Sequence, residues 1–512
     1  MRPALGLALL IAGVVFSSVG CDDSSSGEGG GGGTGGLGTG GTGASSTGGS
    51  ATGGSAQGGA GGSASVELKA FPSAKGAGAD ATGGRGGRVI HVTTLDWSAP
   101  GGLREAITTA EPRIIVFDVS GEIDATAETA WEAMIVGSEY NDMTIAGQSA
   151  PEGGISIRTS EFSFNDVDNI VIRYLRFRAT TGSAQDTVSF VGTSDVVVDH
   201  CTISHGGDEA FSITASATGK QFGNATLQRS FIQDSKTGSI MGDCTGATEG
   251  DFTIVDNLWS GVSHRFPNIC GRGRYDAVNN VVYNHKWRTL NFNGVNQTNV
   301  LNNYFKPSAN GLRQSGYAGT GSIADYMYKV DVNDDSEHLL IHAAGTYITG
   351  ERTSPMPDDR DLFTAFVGST VPEGDPVPDR YFVDSAYSLA GKQFTVKSAE
   401  QAYDDVLQDV GANKYLNADG SVGSYLDPKD AADIEMVRSD TYDGSFYTDW
   451  NLIPHPTVPT NVRASDYDTD RDGMPDAWEQ AHGLDANVDD SAGDRDSDGY
   501  TNVEEFLNQV DF

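Results

Sequence analysis

Asn169–Phe177 reads NIVIRYLRF, Asp195–Ile203 DVVVDHCTI, Asn224–Ile232 NATLQRSFI, Asp251–Trp259 DFTIVDNLW, Asp276–Tyr283 DAVNNVVY and Asn299–Phe305 NVLNNYF. Each is a short apolar run rich in β-branched residues, the composition of a strand. Aligned on Arg173, Asp199, Gln228, Asp256, Asn279 and Asn302, the runs recur at 26, 29, 28, 23 and 23 residues. A period in the twenties made of strands, with no helical pattern between them, predicts a solenoid in which each repeat covers the next. The fold class expected is all-β, a right-handed parallel β-helix. Asn-Asn or Asp-Asn recurs at the bend, at Asp256-Asn257, Asn279-Asn280 and Asn302-Asn303. Stacked amides there can bond from one coil to the next. The variable loops between strands are where such a fold carries a site.

Outward from this block the chain changes character three times. Arg2 followed by the apolar Leu5–Val19 reads as an export signal over residues 1–20, and Ser18-Val19-Gly20-Cys21 resembles a lipoprotein cleavage site with Cys21 as the lipidated residue. Ser18 stands where such signals usually carry Leu, so an ordinary cleaved signal remains the alternative. The expected location is secreted, or lipid-anchored at the bacterial cell surface. Residues 21–63 are almost wholly Gly, Ser, Thr and Ala, a tether with nothing to bury. Residues 64–460 hold the β-helix. Two short helices accompany it, one starting in GGLREAI at Gly101–Ile107 as an end cap, the other at Ser398–Leu407 with Ser398 and Gln401 as a capping box. Residues 461–512 form a small helical module. Asp468, Asp470, Asp472, Gly473, Asp476 and Glu479 occupy positions 1, 3, 5, 6, 9 and 12 of an EF-hand loop. Asp494, Asp496, Asp498, Gly499, Asn502 and Glu505 repeat the spacing. Oxygens at that spacing converge on a hard cation, so Ca2+ is the expected ligand.

The 512 residues carry a formal charge of −37. That balance repels phosphates and argues against nucleic acid as a partner. After Cys21, three cysteines remain: Cys201, Cys244 and Cys270. One disulfide and one thiol is the simplest arithmetic, with Cys244–Cys270 the working choice among three pairings.

The blocks FPSAKGAGADATGGRGGRVIHVTTLDWSAPGGLREAI, IIVFDVSGEI, MTIAGQSAP, NIVIRYLRFR, VVVDHCTISHGGDE and VNNVVYN, within Phe71 to about Pro307, resemble the pectate lyase family. SAEQAYDDVL and DAADIEMVR extend the resemblance, and some relatives carry an appended EF-hand-like segment. The resemblance implies calcium-dependent β-elimination on polygalacturonate by a monomeric enzyme. It puts the base at Arg265, in the R-x-P context of HRFP, and a substrate-holding lysine at Lys236 in QDSKTGS. The family's second arginine falls on Cys270, so Arg272 is assigned the role, with Arg274 as the alternative. Asp186 and Asp208 match family calcium ligands. Two further family positions fall on Ser212 and Ala184, and Glu209 is the substitute offered. His200 is expected to be a stacked structural residue. Lys236, Arg265 and Arg272 are expected in loops after consecutive strands, making a basic cleft on an acidic protein.

Two other functions compete. Polygalacturonases share the fold but need paired carboxylates in NTDG and GHG motifs, absent here. A carbohydrate-binding β-helix without catalysis would not need Arg265 and Lys236.

Overall fold

The computed structural model describes residues 68–512 apart from 127–133, 181–183, 217–218, 247, 286–288, 309–326, 333–336, 367–374 and 443–452. The export signal, Cys21 and the tether lie outside the described residues.

The repeated runs coil into a solenoid of three parallel sheets. The chain visits them in strict rotation: Ile170–Arg173 lies in the first, Leu175–Ala179 in the second, Val188–Val191 in the third, and Ser194–Asp199 is back in the first. The first sheet has ten strands, from Arg88–Val92 to Leu340–Ala344; the third has nine, ending at Phe363–Phe366. Strands alternate faces, so Ile172, Phe177, Phe190, Val198, Ile203 and Ile213 stack in one continuous interior.

The bend between first and second sheets is sharper than the sequence alignment implies. Tyr174, His200, Arg229, Asp256, Asn279 and Asn302 all adopt left-handed backbone, with φ between +45° and +57°. For the first three coils this is one residue later than Arg173, Asp199 and Gln228, because the backbone bend, not residue type, sets the frame. The following residue builds a ladder. Asn257 Nδ2 donates to Asn280 Oδ1 at 3.0 Å, Asn280 Nδ2 donates to Asn303 Oδ1 at 3.1 Å, and Ser230 N–H donates to Asn257 Oδ1 at 2.8 Å. Each amide satisfies a bend whose backbone groups would otherwise be buried without partners. His200 sits on the Tyr174 ring at 4.6 Å and bonds Asp199, a stacked structural residue. Cys244 and Cys270 form the disulfide; the Cys201 thiol is buried, which pushes it up to about 12.

The ends are covered. Leu103–Ile107 is a helix whose Leu103, Ala106 and Ile107 join the interior, as expected of an end cap. The helix Ala399–Gln408 carries the Ser398–Gln401 capping box and, with the helix Pro428–Ser439, packs on the outer face of the second sheet through Val406, Leu407, Ile434 and Val437. Asn461–Val462 then pairs antiparallel with Val119–Ser120 at the edge of the second sheet, closing an open strand. The last segment lies against the first sheet. Met474, Trp478, Val503, Phe506 and Val510 form one cluster with Ile114, Val116, Ala146 and Tyr174. Polar contacts reinforce it: Arg85 Nε donates to both Glu504 oxygens at 2.9 Å, and Asp511 Oδ1 accepts from Arg173 Nη2 at 2.5 Å and from the Ser73 hydroxyl at 2.8 Å.

Candidate active site

Four consecutive turns from the second sheet into the third carry the predicted chemistry. Asp186 precedes Val188–Val191, Asp208 precedes Glu209–Thr214, Lys236 precedes Thr237–Gly242, and Arg265 precedes Asn268–Cys270. Backbone bonds stitch these turns together: Asp208 N–H donates to Gln185 O, Thr237 N–H to Asp208 O, and Ser239 N–H to Arg265 O. Residues a whole coil apart in sequence thereby become neighbours about 5 Å apart along the solenoid.

Carboxylate oxygens of Asp186, Asp208 and Glu209 lie within 4.8 Å of one another. Asp186 Oδ1 also accepts the Glu209 N–H at 2.9 Å. Burial, and then the Glu209 charge, hold Asp186 well above the usual carboxylate range; burial also raises Glu209, against the pull of Arg265. Three crowded acidic groups of this kind fit a hard dication, which takes oxygen ligands.

Arg265 is buried, with 7% of its surface exposed, and its Nη1 is ion-paired with Glu209 Oε1. Its backbone is left-handed, φ +65°, a conformation that non-glycine residues hold only where the surroundings enforce it. Pro267, with its fixed φ, follows two residues later. Lys236 is different: its side chain is 58% exposed and its Nζ is 3.9 Å from Asp208 Oδ1. It is free to swing toward a ligand at little cost.

Arg272 and Arg274 stand apart from this group. Arg272 opens the first-sheet strand Arg272–Val278, at the far end of the third-sheet strand that Arg265 begins. It donates to Gly246 O at 3.2 Å and to Glu337 Oε2 at 3.1 Å. Arg274 Nε donates to Asp251 Oδ2 at 3.0 Å. The expected row of three cations in successive loops holds for Lys236 and Arg265 only. The reason is strand length: Asn268–Cys270 separates position 265 from position 272 within one coil. The expected basic cleft is likewise absent from the side chains alone. Lys236 and Arg265 contribute two positive charges against three carboxylates, so the cluster becomes positive only with a bound dication.

The structure adds a feature the sequence reading passed over. Ser163, Ser189, Ser212, Asn268, Asn291 and Lys329 fall in one register row across the third sheet, interrupted by Ile240. The row lies on the face opposite the interior Phe190 and Ile213 and runs out from the acidic turns. Period-two alternation within each strand was the signal that could have found it.

The C-terminal loops also hold acidic clusters: Asp468, Asp470 and Asp472; Asp472, Glu479 and Asp490; and Asp494, Asp496, Asp498 and Glu505, each within 4.8 Å. Asp476, at position nine of the first loop, is not in them. Asp476 accepts the Thr469 N–H at 2.8 Å, and Asn502 Oδ1 accepts the Arg495 N–H at 3.1 Å. Each thereby caps the second residue of its own loop. Burial and mutual repulsion raise Asp470 to about 6, Asp472 to about 7, Glu479 to about 8 and Glu505 to about 7.

Known proteins resemble this chain over most of its length. The chain is 31% identical over 455 residues to probable pectate lyase C of Neosartorya fischeri, covering 87% of this chain and 95% of that one. It is 30% identical over 460 residues to probable pectate lyase C of Aspergillus oryzae, covering 86% and 94%. This chain belongs to the pectate lyase family. Among solved structures, a thermostable pectate lyase aligns at 17% identity over 67% of this chain and 97% of its own, with a TM-score of 0.45. No protein-family model matches. Within a pectate lyase, the buried arginine beside an acidic cluster is the arrangement to explain.

Proposed function

We propose that the protein cleaves polygalacturonate by calcium-dependent β-elimination, with Arg265 as the base. The observation that carries this reading is Arg265 seated one to three coils from Lys236, Asp208, Glu209 and Asp186 in a member of the pectate lyase family. Asp186, Asp208 and Glu209 would hold Ca2+, with water and uronate oxygens completing the six to eight that the ion takes. Bound there, the ion neutralises the uronate carboxylate and makes the proton at C5 more acidic. Arg265 takes that proton, the C4–O bond breaks as the departing oxygen gains a proton from water, and a 4,5-unsaturated end is left. Guanidine removes a proton only when its neutral form is favoured. The ion pair with Glu209 opposes this, so Arg265 becomes competent once Glu209 is occupied with the metal. Lys236 holds a neighbouring substrate carboxylate. Arg272 and Arg274, at the far end of the third sheet, would at most contact distal sugars.

The same reading has the chain exported by residues 1–20 and tethered by residues 21–63, secreted or held at the surface through Cys21, and working as a monomer. The test follows ultraviolet absorbance of unsaturated product on polygalacturonate, with and without EDTA. A calcium-dependent rise is expected. New reducing ends without absorbance would identify a hydrolase, and binding without either product a non-catalytic lectin-like role.

A further inference from the structure

The first C-terminal loop buries a carboxyl group that has no hydrogen-bond partner among the described residues. Glu479 is wholly buried, and among the described residues neither of its oxygens has a hydrogen-bond partner. Asp470 likewise lacks partners for both oxygens. Burying an unpaired carboxylate costs far more than any hydrogen bond recovers, so a cation belongs there. The loop itself supplies Asp468, Asp470, Asp472 and Glu479. Its position-nine residue, Asp476, is turned away and bound to the backbone and hydroxyl of Thr469.

Another residue stands in the gap. Asp490 lies outside both loops, in the connection between them. Its carboxylate comes within 4.8 Å of Asp472 and Glu479. Its backbone N–H donates to Asp472 Oδ2 at 3.2 Å, which fixes the approach. Asp472 belongs to both acidic groups, so the two merge around it.

We propose that Asp490 is a ligand of the cation in the first loop, taking the place that position nine holds in an ordinary EF-hand loop. This rests on reading the segment as a calcium module. The site is then Asp468, Asp470, Asp472, Glu479 and Asp490, five carboxylates drawn from two segments of chain. Five acidic ligands favour a small hard dication and tight binding. A second consequence follows from Asn502. Its Nδ2 donates to Asp490 O at 2.9 Å while its Oδ1 caps the second loop. Filling the first loop therefore orders the start of the second.

The test uses the full chain stripped of metal and titrated with calcium by calorimetry. Asp490→Asn should weaken one site about tenfold or more, the scale seen when a residue of a metal centre is altered. Asp489→Asn removes the same charge one residue away, from an exposed side chain that accepts from the Ser491 backbone and hydroxyl. It should change that site less than twofold. Glu479→Gln should abolish the site. If Glu479→Gln has no effect, the calcium-module reading fails. If it does but Asp490→Asn matches Asp489→Asn, the assignment of Asp490 fails. Melting temperature gives an independent readout. With EDTA, Asp490→Asn should melt at or above the parent, because one repelling charge is gone; with calcium it should melt below it. A purely structural Asp490 would lower both values, and that result also overturns the proposal.

Discussion

At the turns into the third sheet, Asp186, Asp208 and Glu209 share their space with Lys236 and Arg265. In the first C-terminal loop, Asp470 and Glu479 have no such ion-pair partner among the described residues, and His91 lies 3.5 Å from Asp468. The same residue type is thus assembled for two purposes. Where cations belong to the chain, the metal is one partner among several and can exchange with substrate. Where they do not, the metal must stay for the loop to keep its shape. A site for turnover and a site for structure differ less in their ligands than in what else competes for them.

The largest expected effect tests the first region. Arg265→Lys keeps the charge and the pairing with Glu209 but loses the planar fork. Its turnover should fall roughly 10^3-fold, the scale of losing a positioned base, with KM and melting temperature near the parent. Initial rates of unsaturated product measure it, and near-normal turnover would sink the role given to Arg265.

Calcium separates the two regions next. In one titration, melting temperature should respond at about tenfold lower calcium than activity does, because the C-terminal loop offers more carboxylates and no competing cation. Coincident midpoints would erase the distinction drawn here.

A pH series in saturating calcium sharpens it further, since the module carboxylates are then held. His205 is buried, and its two ring nitrogens suit a neutral imidazole: Nε2 donates to Ile453 O at 3.1 Å and Nδ1 accepts from the Ser204 hydroxyl. Burial and then the neighbouring His455 lower it to about 3. The folded value lies below the free one, so this contribution is present above pH 6.5 and is lost as pH falls from 6.5 toward 3. Stability should drop by roughly 2 kcal/mol between pH 6.5 and 4.5. His205→Asn, a residue that tolerates the left-handed backbone at φ +68°, should flatten that limb; an unchanged slope refutes the assignment.

The smallest effect is Lys236→Ala. An exposed lysine 3.9 Å from its partner contributes little to the free protein. KM should rise several-fold with kcat nearly unchanged. A loss in kcat equal to that of Arg265→Lys would exchange their roles.

The solenoid was legible because a strand period and bend asparagines are local properties. The bend at Tyr174, His200 and Arg229 was misplaced by one residue because those side chains are not turn formers; the backbone forces them there. Asp186, Asp208, Lys236 and Arg265 were singled out by the family resemblance of their surroundings, and the structure sets them in the same turn of successive coils. Arg272 was not, because the length of Asn268–Cys270 decides which end of a strand a residue occupies. The docking of the C-terminal segment left a faint trace in RIIVF at Arg113–Phe117. All five of those residues are buried, and a strand apolar on both faces needs a cover on each. Which segment supplies the cover is a long-range fact that no local pattern encodes, and Asp490 belongs to the same class.

Ser73 and Asp511, joined by a hydrogen bond, are 438 positions apart. Arg173, paired with Asp199 from its own sheet, is completed by the Phe71 ring and the Asp511 carboxylate. A ribosome making this chain therefore releases the early coils long before their outer wall exists. Contacts of such sequence separation form late and slowly. The patch of the first sheet around Ile114, Val116, Ala146 and Tyr174 stays uncovered until the last segment has been synthesised. A stop codon in the last turn of helix would take Val510 and Asp511 out of that wall, while leaving every residue of the acidic turns in place.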